Sequence, residues 1–102
     1  MANGILIQQL SNISNKKSVT DSNGKEWRVE KNVSGFVFTC LNSSRKVRAH
    51  LDSSSAILQI TDRTRTPFAI EGKNMVKVIL AKDATVSQVF AIISNRAREL
   101  NR

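Results

Sequence analysis

From Trp27 to Ile60 apolar and polar residues alternate with a period of two, as in strands that bury one face. Residues 36–41 and 46–51 read as a hairpin that sets Cys40 opposite Val47, Phe38 opposite Ala49 and Phe36 opposite Leu51. All six are apolar and share one side of the sheet. The other side receives Val37 with His50, Thr39 with Arg48 and Leu41 with Lys46. Residues 56–61 continue the pattern after a loop at 52–55, with Ala56 opposite Leu51, Leu58 opposite Ala49 and Ile60 opposite Val47. Going backwards, a turn at 32–35, with Gly35 free to supply a positive φ, places Trp27 beside Cys40 and Val29 beside Phe38. Ser22-Asn23-Gly24 suits a three-residue hairpin loop ending in a left-handed glycine, which sets Val19 beside Trp27. Residues 17–61 therefore read as a five-stranded meander with one apolar face.

The period then changes. Val76, Val78 and Leu80 alternate with Lys77 and Ile79, predicting a further strand over 74–81. Val86, Val89, Phe90, Ile93, Ala97 and Leu100 follow helical spacing, and Thr85 with Gln88 forms a capping-box pair at the start. Arg96, Arg98 and Arg102 suit the negative end of that helix dipole. The prediction is an amphipathic helix over 85–101, packed on the apolar sheet face. Residues 1–16 are open: Leu6, Leu10 and Ile13 suit a helix capped by Asn3, and Ile5 with Ile7 suits a strand. Residues 63–67 form a basic connector in which Pro67 cannot donate to a ladder, and 68–70 read as a brief edge strand. The expected fold is α+β: one domain over 1–102, with an antiparallel, twisted or partly rolled sheet of five to seven strands and a C-terminal helix. Strands followed by one terminal helix resemble, at fold level alone, pleckstrin-homology-like domains and the Whirly and PUR single-strand-binding folds. No residue motif of these families is present, so the resemblance implies architecture and not activity.

Composition narrows the class. With 102 residues, 40% hydrophobic, the chain has length for one core. No apolar stretch approaches the roughly 20 residues that span a bilayer. The first ten residues carry no cationic lead and too short an apolar run for a secretory signal, so the expected address is cytoplasmic. A single cysteine, Cys40, excludes an internal disulfide. The balance of 16 Lys and Arg against eight Asp and Glu gives a net charge of +8, which attracts polyanions. The small size and the Ser, Asn and Lys content suit an accessory protein of a phage or mobile element.

Catalytic chemistry is sparse. The one histidine, His50, points to the opposite side of the sheet from Cys40, which defeats a Cys–His nucleophile pair. One Cys and one His cannot build a structural zinc site, and the aspartates lack calcium-loop spacing. The four glycines never cluster into a phosphate-cradling loop. No enzymatic activity, metal or cofactor is expected.

The cations do form a pattern. Arg28, Lys46, Arg48 and His50 fall on the polar sheet face, with Arg28, Thr39, Arg48 and Gln59 expected in one row. Arg45 lies at a hairpin tip, and Arg63 and Arg65 extend the charge into the connector. Guanidinium forks match phosphate oxygens, and neutral Thr and Gln add hydrogen bonds. The expected function is a nucleic-acid-binding module using Arg28, Arg45, Lys46, Arg48, Arg63 and Arg65 on the phosphate backbone. Trp27, Phe36, Phe38 and Phe90 are assigned to the core, which leaves no stacking platform and favours duplex over single strand. Two alternatives share the same charge: an accessory or inhibitor protein docking on an acidic protein, and recognition of an anionic membrane by basic loops.

Overall fold

A computed structural model describes residues 3–100. Helix α1 (Gly4–Ser14) is followed by strands β1 (Val19–Thr20), β2 (Glu26–Lys31), β3 (Gly35–Cys40), β4 (Val47–Asp52), β5 (Ile57–Asp62) and β6 (Met75–Ile79), then helix α2 (Val86–Leu100). The strands pair in sequence order as one open antiparallel meander of six. This is the expected α+β architecture, and the strand at 74–81 finds its partner in β5. The position at 101 that closed the expected C-terminal helix, and Arg102, lie outside the described residues.

The N-terminal ambiguity resolves as a helix. Asn3 Oδ1 accepts from the Leu6 backbone N–H at 2.7 Å, satisfying a donor that the first turn would otherwise leave unpaired. Its Nδ2 donates to the carbonyls of Lys82 (2.9 Å) and Ala84 (3.2 Å), tying α1 to the loop before α2. Leu6 and Leu10 are buried, and Ile5, which a strand would have used, is left exposed. At α2 the capping box forms in both directions. Thr85 N–H donates to Gln88 Oε1 at 3.0 Å, and Gln88 N–H donates to Thr85 Oγ1 at 3.2 Å.

Both helices cover the face formed by Trp27, Val29, Phe36, Phe38, Val47, Ala49, Leu51, Leu58 and Ile60. Val89, Phe90, Ile93 and Ala97 complete the core from α2. Phe90 is its centre. Its ring stacks on Trp27 at 5.4 Å between centroids and meets Phe38 edge-on at 5.9 Å, the offset arrangements that aromatic quadrupoles favour.

Register agrees with expectation over β1–β4: Val19 faces Trp27, Trp27 faces Cys40, Val29 faces Phe38, and Phe36 faces Leu51. One hairpin differs. Leu51 faces Leu58, Ala49 faces Ile60 and Val47 faces Asp62, two positions from the expected pairs. The loop is 53–56 and not 52–55, because Asp52 stays in the strand and organises the turn. Its Oδ1 accepts from Ser54 N–H (2.9 Å), Ser54 Oγ (2.7 Å) and Ser55 N–H (3.3 Å). Those bonds, led by the Ser54 hydroxyl, hold the Asp52 carboxyl below the ordinary aspartate range. Ala56 closes the loop at φ 59°, a left-handed conformation that residue chemistry does not announce. Sliding a loop by one residue moves the partner by two, so the buried face is unchanged.

Two further expectations are corrected. Residues 68–70 form no strand. The buried Asn74 side chain clamps them as a loop, accepting from Ile70 N–H at 2.6 Å and donating to the Phe68 carbonyl at 2.7 Å. Gly35 has no positive φ; its role is close approach, taken up in the Discussion. Gly24, by contrast, sits at φ +80° in the β1–β2 turn, as its loop demands.

That turn carries an acid-sensitive contact. Asp21 Oδ2 accepts from Trp27 Nε1 at 2.9 Å, and Oδ1 accepts from the N–H groups of Asn23 (2.8 Å) and Lys25 (3.0 Å). Burial pushes the Asp21 carboxyl upward, but the indole bond, the two backbone bonds and the Lys25 charge outweigh it and bring it below 3.8. A carboxylate depressed in the folded state stabilises the fold above its unfolded pKa and loses that contribution as pH falls through the folded value. Urea unfolding is therefore expected to show stability level above about pH 5 and falling below about pH 4. Asp21→Asn should make that fall shallower. An acid limb of equal steepness in both proteins would mean that this contact carries no linkage.

Candidate nucleic-acid interface

The face opposite the helices is built from the outward positions of β2–β6. Cross-strand register sets two rows on it. One runs Arg28, Thr39, Arg48, Thr61, Met75, and the next runs Glu30, Val37, His50, Gln59, Lys77. The two-residue shift in the β4–β5 hairpin thus replaces Gln59 with Thr61 beside Arg48. Thr61 Oγ1 donates to the Arg48 carbonyl at 3.3 Å. Arg28 and Arg48 stand two strands apart, roughly 10 Å at the usual strand spacing.

Arg63 extends the first row's neighbourhood. Its N–H donates to the Lys46 carbonyl at 3.0 Å, so the β4–β5 ladder continues one step beyond Asp62 and sets Arg63 across from Lys46. The turn is held by Thr64, whose N–H donates to Asp62 Oδ1 at 2.9 Å and whose hydroxyl also bonds that carboxylate. Thr64 Oγ1 in turn accepts from Lys46 N–H at 2.9 Å, joining the β3–β4 tip to the connector. Arg48, Arg63, His50, Gln59 and Thr61 consequently line one shallow depression of about 150 Å³. His50 Nε2 lies 3.0 Å from Ser34 Oγ, which orients the ring at its margin.

The six expected residues do not all meet. Arg48 and Arg63 share the depression, Lys46 is linked to Arg63 through the backbone, and Arg28 continues the row. Arg65 is exposed on the connector but does not line the depression. Arg45 turns toward the helix side, where it lines a cleft with Lys25 and Arg98. Among the described residues no carboxylate lies within salt-bridge distance of Arg28, Arg48, Arg63 or Arg65. The face also carries Glu26 and Glu30 on β2, so its positive charge is strongest toward β4, β5 and the connector.

Two side chains, Lys77 and Phe68, escaped the sequence reading of the site. His50 and Gln59 are visible there only as members of a face, and their joining of Arg48 and Arg63 depends on the exact register. Lys77 comes from β6, whose partner no local pattern identifies. Phe68 is more instructive. Expected in an edge strand, it is 71% exposed on the basic connector, an unburied aromatic three residues after Arg65. Among the described residues no group of three or more His, Cys, Asp or Glu is placed to hold a metal. No helix among them is long and apolar enough to cross a membrane. The chain matches no protein-family model, no curated protein and no solved structure.

Proposed function

We propose that this chain is a non-enzymatic module that holds the phosphate backbone of nucleic acid against the outer face of its sheet. The observation that carries the reading is the depression in which Arg48 and Arg63 stand with His50, Gln59 and Thr61. Among the described residues neither guanidinium has a carboxylate partner, so both can meet phosphate oxygens, and the Gln59 side-chain amide beside them adds a neutral donor. Arg28, Lys46 and Lys77 extend the positive surface on both sides. Backbone contact of this kind is independent of sequence and favours a duplex, since Trp27, Phe36, Phe38 and Phe90 are buried and Phe68 is the single exposed Phe or Trp among the described residues.

Fluorescence anisotropy with duplex and single-stranded probes tests this. Engagement of three to five phosphates gives a log–log salt slope of about −3 to −4.5 on duplex. Arg48→Ala with Arg63→Ala should weaken binding on all sequences and make the slope shallower by about 2. Unchanged binding by that double variant would remove this face from consideration. Phe68→Ala separates the two nucleic-acid modes: a loss confined to the single-stranded probe would mean that a base stacks on the connector. Ile79, 78% exposed on the same face, favours a second reading in which an acidic protein with an apolar rim docks there. In that case nucleic acid is retained weakly and without saturation.

A further inference from the structure

Where the C-terminal half of α2 crosses the ends of β2, β3 and β4, the packing leaves a cleft of about 260 Å³. Its walls are Trp27, Cys40 and Val47 from the sheet and Ala97 from the helix. Lys25, Arg45 and Arg98 line it as well, and among the described residues no carboxylate does. The cleft explains why Cys40, on the apolar face as expected, is only partly buried: the helix does not seal the sheet at that end. Its thiol lies 3.8 Å from Asn42 Oδ1.

Ser94 is the unusual member of this lining. The residue is 6% exposed, and its Oγ is buried without a hydrogen-bond partner. A helical serine commonly satisfies its hydroxyl on the carbonyl one turn earlier. This one does not, and a buried polar atom left unpaired in a folded protein calls for an explanation. A serine facing an apolar-walled recess rimmed by cations has the composition of a small-molecule site: mostly apolar surface with a few polar groups that fix orientation.

We propose that this cleft binds a small anion with an apolar body. Its carboxylate or phosphate would be held by Arg45, Arg98 and Lys25, its body seated against Trp27, Val47 and Ala97, and the Ser94 hydroxyl, now buried, would rotate toward the cleft to pair with one polar atom. The volume sets the class. It falls just below the 300–1,000 Å³ typical of ligand pockets, which suits one ring or a short acyl chain. A bare inorganic ion would leave the apolar walls uncovered. The cleft lies on the helix side of the sheet, away from Arg48 and Arg63, so it is separate from the proposed nucleic-acid face.

Trp27 is the only tryptophan in the chain and lines the cleft, so its emission reports occupancy directly. Titration with 4-phenylbutyrate and with octanoate, followed by Trp27 emission and by amide NMR shifts, is expected to saturate one-to-one for at least one of them. The uncharged amide of that compound should bind at least about tenfold more weakly, because charge-assisted bonds to arginine are lost. Arg45→Gln with Arg98→Gln should weaken the anion about tenfold, and Ser94→Ala about threefold. Ala97→Leu should fill the recess and abolish binding. If that variant fails to fold, the arginine pair, both exposed, still decides the matter. Saturation by neither anion, equal binding of anion and amide, or wild-type affinity in the arginine double variant would each overturn the proposal.

Discussion

Gly35→Ala is expected to destabilise the protein by about 3 kcal/mol or more, a large share of the roughly 5–15 kcal/mol that holds a domain together. Gly35 opens β3 and pairs with Asp52 of β4. A Cβ built at this position would lie 1.8 Å from the Leu51 carbonyl oxygen and 3.1 Å from the Ser53 nitrogen. Both are backbone atoms, so no side-chain rotation relieves the clash; the strands themselves must separate. That movement disturbs the Ser53 N–H bond to the Ser34 carbonyl (2.9 Å) and the Asn32 side chain, which accepts from Gly35 N–H at 2.9 Å. Gly24→Ala is the natural control. Its methyl would meet nothing within 4 Å, and only the positive φ of +80° opposes it, a penalty of about 1–2 kcal/mol. Urea unfolding of both variants should show the Gly35 change to be the larger. A loss under about 0.5 kcal/mol at Gly35 would mean that β3 and β4 do not approach this closely.

Phe90→Ala should cost about 3–5 kcal/mol, the range for deleting a buried aromatic ring. Phe90 joins three parts of the molecule: α2, which carries it, and β2 and β3, which supply Trp27 and Phe38 to its two ring contacts. Removing the ring leaves a void against the one tryptophan, so native Trp27 emission should shift as stability falls. Ile93→Ala, one helical turn on and fully buried, should lose about 2–5 kcal/mol without altering the ring stack. Changes below about 0.5 kcal/mol at both sites would mean that α2 is not packed on the sheet.

The candidate site was legible to different depths at different residues. Arg28, Arg48 and His50 were placed on the correct face from alternation alone, since side-chain direction along a strand has a period of two. Arg45 was not. It lies in the β3–β4 connection, where alternation gives no direction, and the turn carries it to the helix side. Arg63 was counted as connector, but one backbone bond to Lys46 extends the ladder to include it. Phe68 was missed as a surface aromatic because a phenylalanine beside an apolar run reads as strand until Asn74 is seen to hold the backbone in a loop.

The sequence by itself determined which residues of the meander and of α2 face the core, the order and antiparallel sense of the first five strands, and the start and cap of α2. Each of these rests on local regularities: a period of two in strands, 3.6 in the helix, and a reciprocal Thr85–Gln88 bond between near neighbours. Tertiary structure alone decided the rest. The β4–β5 register turned on Asp52 and the left-handed Ala56, because a shift of two leaves the buried face identical and so leaves no trace in the pattern of polarity. The helical choice for residues 4–14 depended on a face of the sheet to receive Leu6 and Leu10, and on the Lys82 and Ala84 carbonyls to receive Asn3. The depression at Arg48 and the cleft at Ser94 are both made by residues distant in the chain, and only the packed fold sets the distances between them.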